Sequence, residues 1–200
     1  MQVYFQTDLT PKEYAAKGVD GEFPVPEKCY TCSNNKLHKH GFYWRYCLDG
    51  FHNWYIPIRR YYCTYCKTTT SMLPNFCLPR FQYSFAIIAD VILLRIFKLY
   101  SLNKLINVLS KRFPRLRDWS ISQANYYANR FIKILPHAEL VLRSRAPDCC
   151  LNNKEEDKKR AKKVLDIALE RFSSLKLFAV SFQKHCQSSF LDPHLRFIVP

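Results

Sequence analysis

Apolar positions along the chain follow two periodicities. From His38 to Tyr46, and again from Trp54 to Tyr62, aromatic and β-branched residues dominate, as half-buried strands require. Asp49-Gly50 lies between the two runs and is a strong turn signal, so the pair is expected to form a hairpin. After Gln82 the period lengthens. Gln82 to Lys98 is apolar on nearly every side, which predicts a central helix buried on most faces. Ser101 caps a second predicted helix, Leu102 to Lys111, with Leu102, Leu105, Ile106 and Leu109 on one stripe. Phe113 to Arg117 breaks that helix. Asp118 or Ser120 then caps a third, which runs to about Leu135, just before Pro136. Its inner stripe reads Ile121, Ala124, Ala128, Phe131, Ile132 and Leu135, and its outer face Ser122, Gln123, Asn125, Tyr126, Asn129, Arg130 and Lys133.

The remaining segments are read from caps and breakers. Thr10-Pro11-Lys12-Glu13 has the form of a capping box and opens a brief helix before Gly18, Gly21, Pro24 and Pro26. Pro74 and Pro79 make Lys67 to Arg80 an extended linker. Leu140 to Cys150 reads as a helix end and a loop. A charge run from Asn152 to Lys163 continues into the stripe Ala161, Val164, Leu165, Ala168 and Phe172, so it belongs to a solvated helix. Glu155 with Lys159 and Glu156 with Arg160 are spaced as favourable helical pairs. Leu175 to Phe190 is assigned to a closing helix.

The cysteines change the picture most. Cys29-x-x-Cys32 and Cys63-x-x-Cys66 bracket the predicted hairpin, and two such pairs supply four thiolates, the tetrahedral set that zinc prefers. His38, His40 and His52 are alternative ligands, although four cysteines already complete a site. Two disulfides are the rival reading. They suit short secreted chains, whereas this one shows no charged-then-apolar leader and carries single cysteines at Cys47, Cys77 and Cys186, which points to the cytoplasm. Cys77 reads as a small buried hydrophobe, and the adjacent Cys149 and Cys150 are poorly placed to chelate one ion together. The expected fold is α+β: a small β zinc ribbon around one structural Zn2+, fused to a mostly α-helical, helix-turn-helix-like basic domain. Its expected divisions are a lead-in (1–28), the ribbon with its linker (29–80), the helical domain (81–150) and a C-terminal helical segment (151–200).

Charge narrows the partner. The chain carries a net charge of +15, and such an excess calls for a polyanion, nucleic acid before an anionic membrane. The most apolar run, Phe85 to Phe97, contains Asp90 and Arg95 and falls short of the ~20 residues a bilayer requires. From Arg95 to Arg145 eleven basic residues face only Asp118 and Glu139, a local excess of nine. Asn and Gln side chains can bridge adenine edges and Arg can fork onto guanine, so the outer face of the third helix is the candidate reader of duplex DNA. Arg112, Arg115, Arg117, Arg59, Arg60 and Lys67 are the candidate phosphate contacts. Tyr43, Trp44, Tyr55, Tyr61 and Tyr62 offer a different reading, as base-stacking platforms for RNA or single strands. A protein-interaction module of a recombination complex is a third. Acids are too sparse between Cys66 and Asn152 for a metal-dependent nuclease centre, and no glycine-rich phosphate loop is present, so no catalysis is expected.

The string Cys29-x-x-Cys32, His38-Lys39-His40-Gly41, Asp49-Gly50, then Ile58-Arg59-Arg60-Tyr61-Tyr62-Cys63-Thr64-Tyr65-Cys66-Lys67 resembles the zinc ribbons that head several insertion-sequence transposases. The continuation from Ser71 to Ser84 is also similar to a family of short bacterial proteins linked to mobile elements. The resemblance covers residues 29 to 85 well and the helical part loosely. It implies a DNA-binding ribbon followed by a helix-turn-helix, in a nucleoid-associated accessory factor or regulator.

Overall fold

The computed structural model describes residues 1–116, 119–148, 155–186 and 188–196. The fold is mixed α+β and forms two compact units, Met1–Ser84 and Phe85–Arg196.

The first unit is built on the expected hairpin, β2 (Leu37–Leu48) against β3 (Asn53–Cys63). Its turn is stabilised by the Asp49 carboxylate. One oxygen accepts the Phe51 and His52 N–H groups at 2.9 and 2.7 Å, and the other accepts the Trp54 indole N–H. Gly50 sits at φ 89, a backbone region costly for side-chain-bearing residues. Near the other end of β2 the register slips between Lys39 and Phe42, and Gly41 takes φ 69 within that bulge.

Segments read as linker and lead-in turn out to be sheet. β4 (Thr69–Pro74) pairs antiparallel with β3 and parallel with β1 (Gln2–Phe5). Residues 67–80 are therefore not an extended linker, and the first residues of the lead-in belong to the sheet. Pro74 stands at the last position of its strand, opposite Phe5 of β1. Two short strands, β5 (Cys77–Leu78) and β6 (Phe81–Ser84), complete a six-stranded sheet in the order β1-β4-β3-β2-β6-β5. The capping box of α1 (Pro11–Lys17) forms as expected, with the Glu13 N–H bonded to Thr10 Oγ1 and the Thr10 N–H to Glu13 Oε2. Tyr14 anchors this helix by donating to the Pro57 carbonyl at 3.1 Å.

The second unit opens with α2 (Phe85–Ile92), so the helix expected from Gln82 starts three residues later. Ser84 and Phe85 are both buried, and nothing in the apolar run marks where pairing along the strand gives way to the helix. A π-turn, Leu93–Phe97, follows, with the Lys98 N–H donating to the Leu93 carbonyl at 2.9 Å. Next come α3 (Leu102–Arg112), a 3-10 turn (Pro114–Leu116), α4 (Ile121–Lys133) and α5 (Leu135–Arg145). The chain continues as α6 (Asp157–Phe172), α7 (Leu175–Cys186) and a small hairpin, β7 (Ser188–Ser189) with β8 (Asp192–Arg196). Phe190, at the turn of that hairpin, is the hub of the core and meets Phe85, Phe131, Phe178 and Phe182 at centroid distances of 5.5–6.1 Å. The closing helix therefore ends at Cys186, before Phe190.

Three further expectations are corrected here. Ile121 is exposed, and its core place is taken by Tyr127, which stacks on the buried Trp119 at 5.8 Å. The helix end expected after Leu140 is present, with α5 running to Arg145, and Cys149 and Cys150 lie outside the described residues. Arg160 does not pair with Glu156, which is the N-cap of α6. It donates instead to the buried Glu139 of α5 through Nε and Nη2, at 3.1 and 2.8 Å. Glu155 likewise faces Lys163 rather than Lys159. Among the described residues no helix is long and apolar enough to cross a membrane.

Candidate metal centre and candidate nucleic-acid interface

Cys29 and Cys32 lie on one tight turn, and Cys63 and Cys66 on another that leaves the end of β3. The turns share one geometry. The residue after each second cysteine, Ser33 and Lys67, has φ 58. In each, the first cysteine's N–H donates to the carbonyl five residues on, Cys29 to Asn34 at 2.8 Å and Cys63 to Thr68 at 2.9 Å. A bond from the Thr64 N–H to the Lys36 carbonyl, 3.0 Å, ties the second turn to the start of the hairpin.

This arrangement gathers the four sulfurs within 4.8 Å of one another. Cys29 and Cys66 are 3.6 Å apart, and Cys32 and Cys63 3.7 Å. Ligands at about 2.3 Å in a tetrahedron would be separated by roughly 3.8 Å, so the donor set fits a closed four-thiolate site. The sulfurs are far beyond the ~2.05 Å of a disulfide, and these cysteines are free. His38, His40 and His52 stand outside the cluster: His40 packs on Tyr62 and His52 on Trp54.

The surroundings favour anionic sulfur unevenly. Burial opposes ionisation of Cys29, but N–H groups of Thr31 and Cys32, with Cys66 and Thr68, outweigh it and hold that thiol down at about 6. The Thr68 hydroxyl, 3.0 Å away, holds Cys66 below the usual thiol range. At Cys32 the Asn34 N–H favours the thiolate. Desolvation and the neighbouring thiols prevail, and push it up to about 12. Thr68 was not singled out in sequence, because a threonine two residues beyond a cysteine pair carries no signal of its own. A metal ion could be held here; the donor set alone supports that statement.

The second unit places the other candidates. On α4, Ser122, Tyr126, Asn129 and Lys133 are exposed along one side, with Asn125 and Arg130 partly exposed beside them. Arg130 lies over the Tyr126 ring at 5.3 Å and donates to its hydroxyl at 3.2 Å, so the two side chains act as one unit. Gln123 is engaged elsewhere: its Oε1 accepts the Ser120 N–H at 3.2 Å and completes a capping box. Ser120, rather than Asp118, is thus the observed cap. Arg112 is held by Asp90 at 2.6 Å, Arg115 is exposed in the 3-10 turn, and Arg117 lies outside the described residues.

Arg59, Arg60 and Lys67 belong to the first unit. Lys67 is exposed beside the metal centre. Arg59 and Arg60 are partly buried on opposite faces of β3, and Arg60 Nε is enclosed without a hydrogen-bond partner. Of the aromatics, Tyr61 is buried in the core with Val3 and Met72, whereas Trp44 and Tyr55 are exposed.

Residues 29–101 match the model of a family described as a domain of unknown function, DUF6431. The matched stretch begins at the first cysteine of the cluster and ends at the cap of α3. No curated protein and no solved structure matches the chain.

Proposed function

We propose that the protein is a sequence-preferring duplex-DNA-binding protein whose first unit is a ribbon stabilised by one structural zinc ion. The supporting observation is the polar side of α4, where Ser122, Asn129 and Lys133 stand exposed beside the paired Tyr126 and Arg130. In this reading α3 and α4 act as a helix-turn-helix, α4 enters the major groove, and Arg115 and Lys133 contact phosphates. Asn129 is suited to an adenine edge and Arg130 to guanine. The connection between α3 and α4, Phe113 to Ser120, is longer than the usual three or four residues, so the docking angle would differ from the common form.

Zinc is the proposed ion because four thiolates in a closed set leave no open coordination position. Its role is folding rather than chemistry. The reading assigns no catalysis to the chain. Three of its second-unit carboxylates are drawn into arginine pairs, Asp90 with Arg112, Glu139 with Arg160 and Asp148 with Arg171. A cytoplasmic accessory factor or regulator of a mobile element is the proposed setting, on the resemblance of residues 29 to 85 to transposase ribbons.

Selection of zinc-loaded protein on a random duplex pool, across a salt series, tests the reading. A motif enriched above a steeply salt-dependent background is expected. Asn129→Ala and Arg130→Ala should each cost about 1–3 kcal/mol and relax selectivity at one base position. Equal binding to every polyanion, unchanged by those substitutions, would sink it.

A further inference from the structure

One face of the β2–β3 hairpin carries two features used neither by the metal centre nor by α4. The strand register pairs Tyr46 with Tyr55, Trp44 with Pro57, Phe42 with Arg59 and Lys39 with Tyr61, which sets all these side chains on the same face. Toward the turn, three large rings stay in solvent: Trp44 is 43% exposed, Tyr46 49% and Tyr55 52%. Trp44 and Tyr55 stack at 5.2 Å with 18° between their planes, and Tyr46 joins Tyr55 at 5.0 Å. Contiguous exposed aromatic surface of this kind marks a binding site more often than chance.

Toward the metal end, the same face opens into a recess of about 460 Å3 lined by Lys39, Phe42, Arg59 and Tyr61, with Glu22 and Phe23 opposite. The Arg59 guanidinium rests over Phe42 at 4.5 Å and Tyr61 at 5.7 Å. It has no hydrogen-bond or ion-pair partner among the described residues, Glu22 included. Rings orient this cation, and its five N–H donors have no protein acceptor. Phe42, on the wall of the recess, is two residues from Trp44, so the cation site and the ring ladder adjoin along β2.

Half-exposed rings beside an oriented, unpaired cation match a ligand that alternates π-faces with negative charge. We propose that this hairpin face binds an unpaired strand of nucleic acid, with bases stacked on Trp44, Tyr46 and Tyr55 and a backbone phosphate against Arg59 and Lys39. The site lies wholly within the first unit and stands independently of the duplex reading assigned to α4.

The test is fluorescence anisotropy of zinc-loaded full chain with labelled oligothymidine, oligouridine and a random-sequence duplex. The expected result is single-strand binding that falls by more than about tenfold in the Trp44→Ala/Tyr55→Ala double variant. Duplex binding should stay within about twofold of the parent, since it is assigned to another surface. Tyr55→Phe should keep single-strand affinity, because stacking needs the ring and not the hydroxyl. Arg59→Gln should reduce the slope of affinity against salt by about one. The oligothymidine and oligouridine arms decide whether the strand is DNA or RNA. Unchanged zinc content and melting temperature in the variants would show that they fold. No single-strand binding by the parent, or equal binding by the folded double variant, overturns the proposal. The α4 substitutions move only the duplex arm, so the two readings fail separately.

Discussion

At the residue scale the four cysteines and their neighbours divide the work. The ligands are set by spacing, and their readiness to ionise by what surrounds them. At neutral pH, Cys29, held at about 6, is already a thiolate in the metal-free protein, whereas Cys32, raised to about 12, keeps its proton. Metal capture must expel that proton, so affinity rises with pH. It falls as pH drops, and more steeply below about 6, where Cys29 must also be deprotonated. Calorimetric titration with zinc in buffers of different ionisation enthalpy should show net proton release at neutral pH. No buffer dependence would contradict this account. Thr68 supports Cys66 through a 3.0 Å hydrogen bond. Thr68→Val keeps the shape and removes the donor, so chelator competition should show a 10- to 100-fold loss of metal affinity, about the usual effect of an outer-shell change.

Between elements, a buried polar tie joins α5 to α6. Glu139 is buried, and Arg160 reaches it with two donors at 2.8 and 3.1 Å. Removing one partner strands a buried charge, which typically costs about 3–5 kcal/mol, a fifth or more of an ordinary domain's stability. Glu139→Ala should therefore lower the unfolding midpoint of the second unit sharply. The double variant Glu139→Leu/Arg160→Met should recover much of the loss. If the single variant melts like the parent, the pair is not structural. Sequence spacing pointed to Glu156 as the partner because helical neighbours are visible in one dimension. The true partner lies 21 residues away, on a helix whose packing against α6 no local pattern announces.

For the whole molecule, the two compact units have different sources of stability. Phe85–Arg196 closes over an aromatic core centred on Phe190, whereas Met1–Ser84 ends β3 in one of the two turns that gather the cysteines. Chelation should accordingly lower the first unit's transition and leave the second nearly unmoved. Calorimetry with and without chelator, aided by Trp44 and Trp54 as reporters in the first unit, would separate the two transitions. A single transition shifted as a whole would contradict their independence. Charge is also unevenly shared: Phe85–Arg196 carries twenty-one Lys and Arg against ten Asp and Glu, and Met1–Ser84 ten against six. Most of the net positive charge therefore lies in the second unit.

Much of the local architecture was legible beforehand because its causes are local. Two Cys-x-x-Cys pairs, an Asp-Gly turn between aromatic runs and the Thr10–Glu13 box each act over a few residues, and each formed as its chemistry requires. The stripe Ala161, Val164, Leu165 and Ala168 is buried for the same reason, a helical period of apolar side chains. Partners distant in sequence were decided only by the tertiary fold. Thr69–Pro74 became a strand because β1, more than sixty residues earlier, supplies its parallel neighbour; alone, the same residues read as a proline-bounded linker. Arg112, a phosphate candidate by charge, was claimed by Asp90, and Gln123, a base candidate by type, by its own helix cap. Composition and spacing determined which chemistries this chain can offer. Which side chains remain available for a partner depended on competition among groups brought together by folding, and that competition is decided in three dimensions.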